Sequence, residues 1–253
     1  MTADQIRSLQ PQLAGFLEGF RPFFAREPTF RHLEQYVLGL LTDLKRKSVE
    51  PIALAAGVPV RTLQEFLSFL VWDDRRCSHR LQQLVMDERG GEQGIGVIDA
   101  SAHPKRGDKT PGVQRQYCGQ TGKIDNCVIG QHLLYTNNHP RNPFRCMLAS
   151  DLYLPKRWAD DRQRCRDAGI PEDVKFRTKW QIAVDQIREA LGNGVRLAWV
   201  TFDEDYGHVP AFWFALDALG QRAIGEVPSH FKVWPRWPVC QSLQGPFAAK
   251  DVA

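Results

Sequence analysis

Two aspartates, each at the end of a short apolar run, are the residues of this sequence best suited to chemistry. Asp99 follows Gly94–Ile98, and Asp203 follows Leu197–Phe202. Both runs are rich in β-branched or aromatic residues and bounded by glycine, which is typical of buried strands. Two carboxylates on neighbouring strands form a hard-oxygen site for Mg²⁺ or Mn²⁺, the basis of metal-assisted phosphodiester chemistry. The third acid that such a site usually needs is not evident.

Taken singly, each aspartate is better explained as a turn residue at a strand end. Glu204 and Asp205 follow Asp203 directly. Because alternate residues of a strand point to opposite faces, one of these two acids is a candidate to support the site without holding the metal itself.

The segment after Asp99 is basic and shaped by proline and glycine. Lys105 and Arg106 come first, and Arg115 follows within the same segment. Such a loop can hold phosphates beside a metal site. The competing interpretation is a solvated charged loop with no ligand.

Residues 1–90 carry apolar residues at helical spacing throughout. Within them, Pro51–Leu67 predicts a short helix, a turn at Gly57 and a second helix that begins near Pro59, with Leu63, Phe66 and Leu67 inward. This is the pattern of a helix-turn-helix, whose second helix can enter the major groove. Arg61 and Gln64 would then face the DNA. An ordinary helical hairpin in a bundle explains the pattern equally well.

A charged, glycine-rich segment at Asp87–Gln93 marks a predicted boundary between a helical region, 1–90, and a second domain, 91–253. After it the pattern changes to strands. The predicted elements, in order, are strand Ile95–Ile98, strand Cys127–Tyr135 (with a short strand at Gln116–Gly119 before it), strand Phe144–Tyr153, helix Thr178–Leu191, the strand before Asp203, helix Pro210–Leu219 and strand Arg222–Val227. Trp158–Asp173 is predicted to be a surface connection with one short helix.

Three successive strands followed by alternating helix and strand predict an α/β domain with a mixed sheet, antiparallel in one half. An RNase H-like sheet has this order.

Composition narrows the class of protein. The 253 residues are 43% hydrophobic with a net charge of +4, which excludes wholesale disorder and is compatible with nucleic acid. No apolar run approaches the ~20 residues of a membrane span, and no signal peptide is evident, so a cytoplasmic protein without a membrane partner is predicted. The six cysteines form no C-x-x-C pair and are interpreted as small core residues.

Several ordered motifs resemble DDE-type transposases of bacterial insertion sequences, over roughly residues 15 to 230. The segments that carry the resemblance are Val97–Asp99 with Pro104–Gly107 and Gly112–Gly119, Leu152–Pro155 with Trp158–Asp161, Ala198–Gly207, and upstream Gly39–Leu41, Arg46–Ser48, Glu50–Ala53 and Arg61–Gln64.

The resemblance implies a helical N-terminal region and an RNase H-like catalytic domain that cuts and joins DNA at element ends. Asp99 and Asp203 would be the first two acids of its triad, with Mg²⁺ or Mn²⁺ as cofactor. The family's third acid is a Glu on a later helix, in a block with an Arg-Trp pair, and this sequence ends before such a block. Glu226 lacks the expected flanks and is not assigned that role. The expectation is therefore a C-terminally truncated copy, with a domain incomplete at that end.

Two functions follow as hypotheses. The first is a transposase with metal-dependent strand cleavage and transfer, acting on element ends and target DNA, a homo-oligomer when intact and inactive if the third acid is lost. The alternative is a non-catalytic DNA-binding protein derived from a transposase.

Overall fold

The computed structural model describes residues 3–137, 139–233 and 247–251, which divide into two units, 1–81 and 82–253. The helix Asp74–Arg89 contributes residues to both units. The predicted division into domains 1–90 and 91–253 stays a prediction. Within the described ranges, no helix is long and apolar enough to cross a membrane.

The first unit consists of helices that pack around a few buried side chains. Ile52 and Leu63 are fully buried in one cluster, and Tyr36 packs against it. A side chain at Gly39 would overlap Ile52, so glycine permits the close approach of their two helices. The helices are α1 (Ala3–Glu18), α2 (Glu27–Leu41), α3 (Val49–Ala55), α4 (Val60–Ser68) and the first half of α5 (Asp74–Arg89).

The predicted pair of short helices is present as α3 and α4. Gly57 lies in the turn between them with φ of 67°, a left-handed conformation that favours glycine. Leu63 and Phe66 are buried as predicted. The prediction for Leu67 was wrong, because this residue lies in the last turn of α4, beyond the packed cluster, and is 44% exposed.

The second unit contains the predicted mixed sheet. Its strands are β1 (Ile95–Pro104), β2 (Gln114–Cys118), β3 (Lys123–Thr136), β4 (Arg145–Leu152), β5 (Trp199–Phe202) and β6 (Ala223–Gly225). The order is β2-β3-β1-β5-β6, and β4 also pairs with β3. β1 is antiparallel to β3 but parallel to β5, and β5 is parallel to β6. This mixed sheet agrees with the RNase H-like fold class predicted from the sequence.

The central strand β1 is shared by the two halves of the sheet. It pairs with β3 from Ile95 to Pro104, and with β5 over the shorter stretch from Ile95 to Ile98. β1 therefore continues past the end of β5, and the two strands part at the position of Asp99. That step in the sheet leaves room for a cleft at the carboxyl ends of the parallel strands.

Short and long helices complete the second unit: α6 (Lys156–Ala159), α7 (Arg162–Asp167), α8 (Lys179–Gly192), α9 (Glu204–Gly207) and α10 (Pro210–Ala218). A two-stranded ladder joins β7 (Lys232–Val233) to β8 (Phe247–Ala248). α8 begins with a capping box between Thr178 and Gln181, which confirms the predicted N-cap.

The expectation for Trp158–Asp173 was partly wrong. This polar segment forms two short helices, α6 and α7, and its Trp158 is only 1% exposed. Trp158 and Cys165 belong to a buried cluster with Val113, so the segment closes a small core. Cys118 and Cys127 are also buried, as predicted for core cysteines, whereas Cys77 and Cys146 are half-buried. Cys240 lies outside the described residues.

Gly207 allows α9, the helix after Asp203, to pack closely against the chain that follows β6. A Cβ atom at this position would overlap the backbone carbonyl of Glu226 and approach Val227. The backbone of Glu226 also donates a hydrogen bond to the Phe202 carbonyl at 3.1 Å. Close contact between α9 and the chain after β6 therefore depends on glycine.

We expect Gly207→Ala to destabilise the chain by about 1–3 kcal/mol, because the added methyl group must displace backbone rather than a flexible side chain. Gly192→Ala is the matched control, since a Cβ there meets nothing within 4 Å; it should leave stability equal or raise it by up to ~1 kcal/mol. The midpoint of urea unfolding, followed by tryptophan fluorescence, measures both. Equal midpoints for the two variants would contradict the packing described.

Candidate metal centre

Asp99 and Asp203 lie side by side where the pairing of the parallel strands β1 and β5 ends, Asp99 within β1 and Asp203 directly after β5. Ile98 of β1 is opposite Phe202 of β5, so the next residue of each strand is an aspartate. Both aspartates line one cleft of about 170 Å³. Lys179, Asp205 and Tyr206 line the same cleft. The structure therefore brings together the two acids that the sequence singled out.

A local hydrogen bond orients each carboxylate. Oδ1 of Asp99 accepts the backbone N–H of Ala100 at 2.7 Å. Asp203 is the N-cap of α9, and its Oδ1 accepts the N–H of Asp205 at 3.1 Å. Each hydrogen bond engages one carboxylate oxygen and thereby fixes the direction in which the second oxygen points, as a metal ligand requires.

The electrostatics of the cleft disfavour two bare carboxylates. Partial burial raises the pKa of Asp203, and the negative charges of Asp205 and Asp99 raise it further. The N–H of Asp205 and the ammonium group of Lys179 act in the opposite direction. Lys179 lies 3.2 Å from Asp205, measured from Nζ to Oδ2. A divalent cation between the two aspartates would relieve this repulsion.

These donors fit a small divalent cation. Carboxylate oxygens are the ligands that Mg²⁺ and Mn²⁺ prefer, and two of them converge on one cleft. Within the residues that the structure describes, no group of three or more His, Cys, Asp or Glu side chains is arranged to hold a metal. Glu204 is exposed next to the site, and Glu226 is exposed after β6. No third acidic ligand is therefore assigned.

Buried polar residues that the sequence analysis missed support Asp99 from the interior of the protein. Gln131 of β3 is fully buried, and its Nε2 donates to the backbone carbonyl of Asp99 at 3.2 Å. The hydroxyl of Tyr206 donates to Oε1 of Gln131. Gln186 of α8 donates to the backbone carbonyl of Gln131 at 2.9 Å. A glutamine inside the apolar run Cys127–Tyr135 was the available signal.

Tyr206 remains a neutral hydroxyl in this arrangement. Burial raises the pKa of its phenol strongly, and the charges of Asp203 and Asp99 add to the effect. The phenol therefore stays protonated, and its O–H group is the donor in the hydrogen bond to Gln131. Tyr206 thus connects the α9 segment that carries Asp203 to the strand that supports Asp99.

A second group of polar side chains lies beside Asp99. His132 is opposite Asp99 in the β1–β3 register, and its Nε2 lies 2.6 Å from Oγ of Ser101. His103 lies 3.1 Å from the same hydroxyl. Burial lowers the pKa of His132 more than the charge of Asp99 raises it.

The predicted DNA-contacting residues lie in three places. Lys105 and Arg106 are exposed in the loop after β1, and Arg115 is exposed on β2. Arg61 and Gln64 are exposed on α4 of the first unit, where Arg61 forms an ion pair with Glu65 at 2.6 Å. Lys179, which lines the cleft itself, was not predicted.

Comparison with known proteins identifies the family. Residues 16–246 match the family described as DDE superfamily endonuclease, and the chain belongs to this family. It is also 27% identical over 220 residues to a probable transposase for insertion sequence element IS701 from Microchaete diplosiphon. That match covers 86% of this chain and 54% of the relative, so the chain spans about half the length of the curated relative it matches. The resemblance to DDE-type insertion-sequence transposases is confirmed.

We expect Tyr206→Phe to lower the free energy of unfolding by about 1–3 kcal/mol, because it leaves the fully buried Oε1 of Gln131 without its donor. Tyr153→Phe removes a half-buried hydroxyl and keeps the ring contact with Phe176, so it is the control. Chemical denaturation of both variants gives the comparison. If Tyr206→Phe cost no more than Tyr153→Phe, the support of Asp99 through Gln131 would be in doubt.

Proposed function

We propose that this chain carries the metal centre of an insertion-sequence transposase, which cleaves DNA at element ends and transfers the strand with Mg²⁺ or Mn²⁺. The observation that carries the proposal is that Asp99, in β1, and Asp203, directly after the adjacent parallel strand β5, line one cleft. Membership of the DDE superfamily endonucleases supports the same reaction class.

Asp99 and Asp203 would hold the ion. When bound, such an ion supplies Lewis acidity to the phosphodiester and offsets the negative charge that develops during cleavage. The two aspartates contribute binding and orientation, since their backbone hydrogen bonds fix the carboxylates. Lys179 places a positive charge in the same cleft, where it can face a phosphate oxygen.

Gln131 and Tyr206 would hold the backbone of Asp99 in place through their hydrogen bonds. This division of work is common in metal sites, where the residues behind the ligands set their direction. It accounts for the presence of uncharged hydrogen-bonding groups, rather than further carboxylates, on the buried side of the cleft.

DNA is the proposed partner, and exposed cations provide its contacts. Lys105, Arg106 and Arg115 follow β1 in the unit that contains the metal centre. Arg61 and Gln64 would contact DNA from α4 of the helical unit. We also propose that the intact transposase acts as a homo-oligomer.

A second candidate function is DNA binding without cleavage. The observation that favours it is that, among the described residues, no group of three or more His, Cys, Asp or Glu side chains is arranged to hold a metal. Two carboxylates alone hold a divalent ion less firmly than a full ligand set. Such a chain would bind DNA without cleaving it.

We expect Asp99→Asn and Asp203→Asn each to weaken Mn²⁺ binding at least tenfold, since each change removes one of two charged ligands. Electron paramagnetic resonance of added Mn²⁺ measures the affinity directly. Asp160→Asn is the control, because Asp160 is an exposed acid that pairs with Lys156 away from the cleft. Wild-type affinity in both site variants would refute the metal centre.

The same three variants test catalysis on DNA that carries the element's inverted repeats. Mg²⁺-dependent cleavage by the wild type and its loss in Asp99→Asn would support the transposase. Mn²⁺ binding and DNA binding without cleavage by the wild type would support the second candidate.

We expect Lys105→Ala to reduce the slope of log affinity against log salt by about 1, because one phosphate contact is lost. Fluorescence anisotropy of a labelled duplex across a NaCl series gives this slope. Lys156→Ala serves as control, since Lys156 already pairs with Asp160. A slope in Lys105→Ala equal to that of the control would exclude Lys105 from the DNA interface.

A further inference from the structure

The loop between β1 and β2 presents a group of cations to solvent. Lys105, Arg106 and Lys109 are exposed in it. In the described portion of the chain, none of them forms an ion pair with a carboxylate. We refer to residues 105–112 as the basic loop.

The start of the basic loop is fixed by one side chain. Nδ2 of Asn126, on β3, donates to the backbone carbonyls of Lys105 at 2.9 Å and Gly107 at 2.7 Å. The N–H of Lys105 donates in turn to the carbonyl of Asn126 at 2.8 Å. Three hydrogen bonds therefore tie the first part of the loop to the sheet. Gly107, with φ of 76°, allows the chain to turn back at this point.

The other end of the basic loop is fixed from α7. Nη2 of Arg164 donates to the backbone carbonyl of Asp108 at 2.6 Å, and its guanidinium carbon lies 3.7 Å from the centre of the Trp158 ring. Trp158 donates from its indole N–H to the carbonyl of Val113 at 2.7 Å. Gly112 has φ of 78°, and a side chain there would crowd the carbonyl of Tyr153.

Neither anchor is a free cation offered to a ligand. Asn126 is uncharged, and the guanidinium of Arg164 contacts a backbone carbonyl and an aromatic ring of the protein itself. A loop that is already held in one shape loses less conformational freedom when it binds, so its cations bind phosphates more tightly than those of a mobile loop.

We infer that Asn126 and Arg164 are positioning residues that hold the basic loop in the shape in which Lys105, Arg106 and Lys109 contact successive phosphates of one DNA strand. This inference rests on the proposed function, since it assumes that the chain binds DNA. It also explains why Trp158 and Arg164 lie in a segment with a strongly polar sequence: the segment forms the support of the loop.

Two variants that leave the net charge unchanged separate positioning of the loop from direct contact with DNA. Asn126→Ala removes no charge, and Arg164→Lys keeps its charge but loses the flat fork that both donates to Asp108 and stacks on Trp158. Arg166→Lys is the matched control, because Arg166 lies on the same helix and pairs with Glu172 instead of the loop.

The experiment measures binding of the full chain to a fluorescein-labelled duplex across a NaCl series. If the residues position the loop, Asn126→Ala and Arg164→Lys should each lower the salt slope by about 1 to 2, while Arg166→Lys keeps the wild-type slope. Wild-type slopes in both variants, together with a reduced slope in Lys105→Ala, would overturn the inference. Failure of the wild type to bind the duplex would instead overturn the proposed function.

Amide hydrogen exchange of residues 105–112 provides a readout that needs no DNA. Exchange in this segment should be faster in Asn126→Ala and Arg164→Lys than in Arg166→Lys, with exchange in β1 and β3 unchanged. Unchanged protection of the loop would also overturn the inference. Accelerated exchange throughout the sheet would mean that the residues support the fold as a whole, and it would equally count against a positioning role.

Discussion

The parallel pairing of β1 with β5 is the constraint on which the rest of the site depends. It matches Ile98 with Phe202 and thereby forces the two following aspartates to the same level of the sheet. Partial burial raises the pKa of Asp203, and repulsion from the negative charges of Asp205 and Asp99 raises it further. The fold tolerates this because both carboxylates face a solvent-accessible cleft and because Lys179 offsets part of the charge.

The buried side of the cleft is held by neutral groups. Gln131, Tyr206 and Gln186 form hydrogen bonds that connect β1, β3, α8 and α9 beneath Asp99. Charged groups in these positions would add desolvation cost and disturb the two aspartates, whereas amides and a phenol satisfy the backbone without changing the net charge. The support of Asp99 therefore comes from neutral polar groups, and Gln186 also donates to the carboxylate of Asp151 at 3.0 Å.

Much of the framework could be predicted from the sequence. The apolar runs before Asp99 and Asp203 predict buried strands, and the helix that begins at Thr178 follows from its capping residues. The partners of these elements were harder to foresee. Lys179 enters the cleft only because α8 lies across the sheet, and no local pattern signals that placement. His132 came beside Asp99 through the antiparallel register of β1 and β3.

The polar segment around α6 and α7 shows why composition alone misled. Its charges suggested a solvated connection, but Trp158 is buried, and Arg164 stacks on it. An arginine can cover an aromatic ring while it hydrogen-bonds a backbone carbonyl, so a charged sequence can still close a core.

The central claim is that Asp99 and Asp203 hold a single site for a divalent ion. It is tested most directly by a crystal structure of the chain grown with Mn²⁺ and an anomalous difference map recorded near the manganese absorption edge. The account predicts a peak within coordination distance of carboxylate oxygens from both aspartates. The absence of a peak there, or a peak held by other residues, would contradict it.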